Sequence, residues 1–215
     1  MSEQIKKRAP GRPSKQEELD RRNQILDRAV ELFANHGFER VLIKDIAKAC
    51  GVATSLIHHH FGKKDDLRGA CRDYVIGEIR STLNQLETTF PDDQPGDPFD
   101  QIGNVLREGL GEQTHLIRFL ALTFIEGHPA SKALFKEYFE LFHRITKRYV
   151  AAGTIRDDLD PIWITTHTIY NQLGTAFLYE QLQGVLDEDP YDAEVSRQRT
   201  TAFTSIARNG MIKTS

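Results

Sequence analysis

Apolar residues recur along this chain at three- and four-residue steps, and no segment sustains the alternation of a strand. Ser14 with Glu17 three residues later has the capping-box spacing of a helix start. Behind it Ile25, Ala29, Leu32 and Phe33 form one face of an amphipathic helix, which Gly37 ends. Ile43, Ile46, Ala47 and Cys50 repeat the spacing over a shorter helix stopped at Gly51. A third short helix is predicted over 54–60, with Val52, Leu56, Ile57 and Phe61 as its apolar anchors. Two helices joined by a tight glycine-containing turn make a helix-turn-helix pattern.

A long helix is expected from Asp65-Asp66, two acids suited to a helix N-terminus, carrying Leu67, Cys71, Val75, Ile79 and Leu83 to about Leu86. Pro91, Pro95, Gly96 and Pro98 mark a loop over about 90–98. Helical patterns resume over 99–110, 114–126 and 130–152. Another long helix is expected from Pro161 to about Leu182, and a last one carries Val195, Ala202 and Ile206. The chain shows no internal repeat. The predicted class is all-α, divided into a flexible basic arm over 1–13, a three-helix helix-turn-helix domain over 14–63 and a helical domain over 64–215.

Composition narrows the possibilities. At 215 residues with 39% apolar side chains the chain can bury a core, which excludes wholesale disorder. No apolar run approaches the roughly 18 residues of a membrane span, and the charged start has no apolar stretch behind it as a secretory signal would. Two cysteines, Cys50 and Cys71, are too few for a disulfide scaffold or a cysteine-based structural zinc site. A cytoplasmic protein with no membrane partner is expected. The net charge of −3 hides an asymmetry: residues 1–75 carry 15 basic and 11 acidic side chains, and the remainder is acidic. A basic front end on an acidic body suggests nucleic-acid contact at one end only.

The run from Gly51 through Val52, Ala53, Thr54, Ser55, Leu56, Ile57, His58, His59, His60, Phe61, Gly62, Lys63, Lys64, Asp65 and Asp66 to Leu67 closely resembles the TetR family of bacterial transcription regulators. It is most similar to a subgroup with histidines where other members carry tyrosines before the Phe. Gly37-Phe38 and Ile43-Lys44-Asp45-Ile46-Ala47 extend the resemblance upstream, so that it covers about residues 20–70. It implies a homodimeric repressor, released from a palindromic double-stranded DNA operator by a small-molecule effector. An activator with the same fold is the alternative. Within the pattern Val41 and Leu42 stand where Thr or Ser usually caps the second helix, and Ala53 replaces a common Ser, leaving Thr54 to cap.

A recognition helix must be firmly seated so that its exposed face enters the major groove. Ile57 and Phe61, four apart, can seat it, leaving Thr54, Ser55, His58 and His59 outward. Hydroxyls and imidazoles can bond phosphates or base edges. The resemblance assigns His58, His60 and Lys64 to phosphate contact, and Lys44 is a further phosphate candidate. Arg12, in a Gly-Arg-Pro run similar to an AT-hook core, is a candidate for the minor groove. Three consecutive histidines point about 100° apart on a helix and do not converge on a metal ion, so no metal or cofactor is expected. Both cysteines lie on apolar faces and read as packed and inert.

A ligand pocket between helices wants apolar walls with a few polar anchors. His115, Phe119, Phe124, His128, Tyr138, Phe142, Trp163, His167, Tyr170 and Asn171 supply that inventory, although aromatics at helical spacing serve a plain core equally well. The stripe Ile162, Thr166, Ile169, Leu173, Ala176 and Phe177, with Val195, Ala202 and Ile206 on the last helix, is the expected dimer interface. The resemblance implies that these two helices form a four-helix bundle with their copies. A helical small-molecule enzyme is the remaining class, but neither a nucleophile–base pairing nor a His-Glu-x-x-His run is present. An architectural DNA protein is disfavoured by the acidic body.

Overall fold

The structure, a computed structural model, describes residues 14–89 and 113–211. The arm with Arg12 and the helix expected over 99–110 lie outside the described residues. Nine helices and no strand occur among the described residues: α1 (Lys15–His36), α2 (Ile43–Cys50), α3 (Thr54–Phe61), α4 (Lys64–Thr89), α5 (Thr114–Glu126), α6 (Pro129–Ala151), α7 (Pro161–Phe177), α8 (Tyr179–Leu186) and α9 (Ala193–Met211).

Helix α1 begins with the reciprocal cap that its sequence specifies. The Glu17 N–H donates to Ser14 Oγ at 3.2 Å, and the Ser14 N–H donates to Glu17 Oε2 at 2.7 Å. It ends at Gly37, whose φ of 76° suits a residue without a side chain. Helix α2 has half of that arrangement. The Leu42 N–H donates to Asp45 Oδ2 at 2.9 Å, but the Leu42 side chain has no acceptor, and the Asp45 N–H donates to the Leu42 carbonyl at 2.9 Å instead. The N–H that a capping hydroxyl would take is thus satisfied by the backbone, and the Asp45 carboxylate holds the Leu42 N–H. Helix α3 starts at Ala53 without a side-chain cap, because Thr54 is already its first helical residue. The expected Thr54 cap is not formed.

In the body, His128 Nδ1 accepts from the Ala130 N–H at 3.2 Å to cap α6, and Asp160 Oδ1 accepts from the Ile162 N–H at 2.8 Å to cap α7. The single helix expected from Pro161 to about Leu182 is interrupted at Leu178 (φ −108°, ψ 20°), which closes α7 and opens α8. No proline or glycine marks that position, so the break has no local signature.

Helix α1 is the centre of the molecule, packing on α2, α4 and α5. Ile25, Leu26, Phe33, Ile46, Ile57, Leu67 and Leu116 are fully buried in one continuous core that joins the head (α1–α3) to the body (α4–α9). Burying each such side chain contributes about 1.5–3 kcal/mol. No helix among the described residues is long and apolar enough to cross a membrane.

Candidate nucleic-acid interface

The outward surface of α3 follows from how the helix is seated. Ile57 and Phe61 are buried in the head, and the Arg22 guanidinium lies 5.1 Å from the centre of the Phe61 ring. Thr54, Ser55, His58 and His59 are exposed, at positions that share one face of a helix. His60 is half-buried, its ring 6.0 Å from Phe61 and edge-on to His59 at 5.5 Å. Because no side chain caps α3, its first N–H groups remain available to an acceptor such as a phosphate oxygen. Lys44, second residue of α2, is exposed.

Lys64 is more constrained than its place in the sequence suggests. Its Nζ donates to the Glu39 carbonyl at 3.3 Å and sits 4.3 Å from the centre of the Phe38 ring. Arg68, one helical turn on, lies 4.2 Å from the same ring and pairs with Glu126 at the end of α5. The turn between α1 and α2 is therefore gripped by α4, and α4 is tied to the body. Two further ties join head and body. His115 Nε2 meets Asp27 Oδ1 at 2.8 Å. Arg118 donates to Asn35 Oδ1 at 2.6 Å and to the Ala34 carbonyl at 3.1 Å, with its guanidinium 3.5 Å from the centre of the Tyr179 ring. Asp27, Arg68, Arg118 and Glu126 carry no local signature, since their partners lie far away along the chain.

The ten residues expected at a ligand pocket have different surroundings among the described residues. His115 ties α5 to α1, and His128 caps α6. Phe119 is buried against Phe33, and Phe124 is half-buried, edge-on to Phe135. Tyr138 and Phe142 are buried together with ring centres 4.7 Å apart, and the Tyr138 hydroxyl bonds Gln172. Burial pushes the Tyr138 phenol well above its ordinary range. Trp163, His167 and Tyr170 are exposed on the outer side of α7, and Asn171 is half-buried beside them. Two open clefts, of about 520 and 640 Å³, lie instead against α1, one beside Cys50 and Gly51 and the other beside Asp65 and Tyr74.

The expected interface stripe divides. Ile169, Leu173 and Ala176 are buried within their own subunit. Ile162 and Phe177 are exposed and Thr166 is half-buried, and they share the outer side of α7 with Trp163, His167 and Tyr170. On α9 only Thr204 and Ala207 are buried; Val195 is half-buried, and Ala202 and Ile206 are exposed, Ile206 at 72%. Burial raises the Cys71 thiol far above its ordinary range and the half-buried Cys50 thiol in the same direction, so neither is an activated thiolate.

Fold and surface together define a helix-turn-helix head on an all-α body. Residues 25–71 match the family model described as bacterial regulatory proteins, tetR family. The HTH-type transcriptional regulatory protein RaaS of Mycobacterium tuberculosis is 31% identical over 137 residues, 64% of this chain and 60% of that protein. The HTH-type transcriptional repressor KstR2 of Rhodococcus jostii is 29% identical over 154 residues, 65% of this chain and 70% of that protein. The chain thus spans well under the full length of either relative. The structure of the ketosteroid transcriptional regulator KstR2 of M. tuberculosis superimposes with a TM-score of 0.66 over 90% of this chain and 96% of that one, at 15% identity. The head accordingly matches the tetR family model over residues 25–71, and the chain carries the fold seen in regulators of that type.

Proposed function

We propose that this chain is a sequence-specific DNA-binding transcriptional regulator that acts as a homodimeric repressor and leaves its operator when a small molecule binds the body. The observation that carries the reading is the outward face of α3, with Thr54, Ser55, His58 and His59 exposed over a seat formed by Ile57 and Phe61. Such a helix meets base edges with its outer face, while Lys44, His60, Lys64 and the open N-terminus of α3 are suited to phosphate oxygens. Relatives named as transcriptional regulators and repressors support the same reading.

Dimerisation supplies the second half-site. The outer side of α7, from Ile162 and Trp163 to Phe177, together with Ile206 on α9, is the apolar face best suited to a second copy. Release follows if an effector prefers a body conformation whose two heads are wrongly spaced, and it can shift the equilibrium only by its differential affinity for the two states. The ties Arg68–Glu126, Asp27–His115 and Arg118–Asn35 are the connections through which such a change reaches the head.

Selection of bound fragments from random or genomic DNA tests the proposal. The expected fragments contain two related half-sites about one helical turn apart. Recovery of fragments without a shared sequence, in proportion to length alone, would contradict it.

A further inference from the structure

The three adjacent histidines of α3 have different surroundings, and His58 is the one whose ring is tethered. Its Nδ1 lies 2.8 Å from the Gly62 carbonyl oxygen. A carbonyl oxygen only accepts, so Nδ1 must carry the hydrogen. The carbonyl is itself well held. The Gly62 N–H donates to the His58 carbonyl at 2.9 Å, and the glycine adopts φ 76°, ψ −123°. The neighbouring Lys63 N–H is bound to Asp66 Oδ2 at 2.9 Å, and that oxygen lies 2.9 Å from where a side chain at position 62 would begin. His58 and Gly62 are thus joined by two hydrogen bonds that close the last turn of α3.

The tether decides what His58 can offer to a ligand. In the uncharged ring a hydrogen on Nδ1 leaves Nε2 as a lone-pair acceptor. Phosphate oxygens are acceptors too, so an uncharged His58 has no hydrogen to give the DNA backbone. In the major groove the complementary groups are the amino donors of adenine (N6) and cytosine (N4). His58 lies one turn after Thr54 and Ser55 on the exposed face of α3, the side that meets base edges. His59 has no such tether to a carbonyl and can present either tautomer, while the half-buried His60 packs beside Phe61.

We infer that His58 is a specificity-determining residue, its Nε2 accepting a hydrogen bond from the exocyclic amino group of an adenine or cytosine, rather than a phosphate contact. The inference rests on the proposed DNA-binding role of α3 and reverses the phosphate role that family resemblance assigns to this position.

Two measurements at pH 8, well above the ordinary histidine range, test it. In the free protein, long-range proton–nitrogen NMR of the imidazole rings, assigned by comparison with His58→Ala, should show the His58 hydrogen on Nδ1. A hydrogen on Nε2 overturns the inference. With a selected operator and a panel carrying every single base-pair change, His58→Ala should lose about three- to tenfold discrimination at one adenine or cytosine position in each half-site. Its salt dependence and its affinity for random duplex should match the wild type. Uniform weakening on all sequences, with a shallower salt dependence, marks a phosphate contact and overturns the inference. If the wild type itself shows no sequence preference, the DNA-reading role of α3 falls and this inference with it, a result distinct from a change in the variant alone.

Discussion

Tyr170→Ala is the sharpest probe of how two subunits meet. Tyr170 is 61% exposed, midway along the outer side of α7. A tyrosine side chain presents on the order of 200 Å², so roughly 120 Å² remains for a partner to cover. At about 25 cal/mol per Å² full coverage contributes about 3 kcal/mol per subunit, and a twofold interface counts it twice. The polar hydroxyl and partial coverage halve that figure, leaving about 3 kcal/mol per dimer, or about two orders of magnitude in the dimer Kd. Sedimentation velocity on a dilution series from micromolar to nanomolar protein reads the change. Ile169→Ala is the matched control, because the Ile169 side chain is only 2% exposed and packs in the subunit's own core. It should lower the unfolding midpoint of the subunit, a buried Ile→Ala truncation costing about 2–5 kcal/mol. The reasoning is refuted if Tyr170→Ala leaves the dimer Kd unchanged, or if Ile169→Ala weakens the dimer selectively while stability is retained.

Other consequences are as open to measurement. Lys64→Ala should weaken binding to specific and random duplex alike and reduce the salt slope by about one unit, measured by anisotropy titrations between low and moderate salt. It also frees the Glu39 carbonyl and leaves the Phe38 ring to Arg68 alone, so hydrogen exchange should quicken in the α1–α2 turn. The paired hydrogen bonds from Arg80 hold the Glu137 carboxyl below its ordinary value. A depressed carboxylate stabilises the fold above its unfolded value and loses that contribution as pH falls through the folded one. The difference in Tm between wild type and Glu137→Gln should therefore be small at neutral pH, since both partners are nearly half exposed, and vanish in acid.

The head was legible because its signals are local. Ser14 and Glu17 specify a cap without reference to the rest of the chain, and Gly37 and Gly51 stop helices by their own conformational freedom. The spacing of Ile57 and Phe61 fixes which side of α3 is seated, and so which residues face outward. The body was less legible, and α7 shows why. Its sequence is apolar on more than one side, so 162, 166, 169, 173, 176 and 177 read as an interface stripe and 163, 167, 170 and 171 as pocket residues. Only packing against α5 and α6 decides that Ile169, Leu173 and Ala176 turn inward and Trp163 and Tyr170 outward. His115 and His128 looked like polar anchors of a pocket because a pairing with Asp27 and a cap on Ala130 depend on geometry that spacing does not encode.

The central claim is that α3 presents its outer face to the major groove. Chemical protection of guanine N7, a major-groove atom, on a selected operator tests it most directly, with wild type compared with His59→Ala. Two protected patches about 34 Å apart along one face of the duplex are expected. In the His59→Ala complex protection at the centre of each patch should be lost, and preference at those base pairs relaxed. Protection that is identical in the two proteins, or a footprint without paired patches, would contradict it.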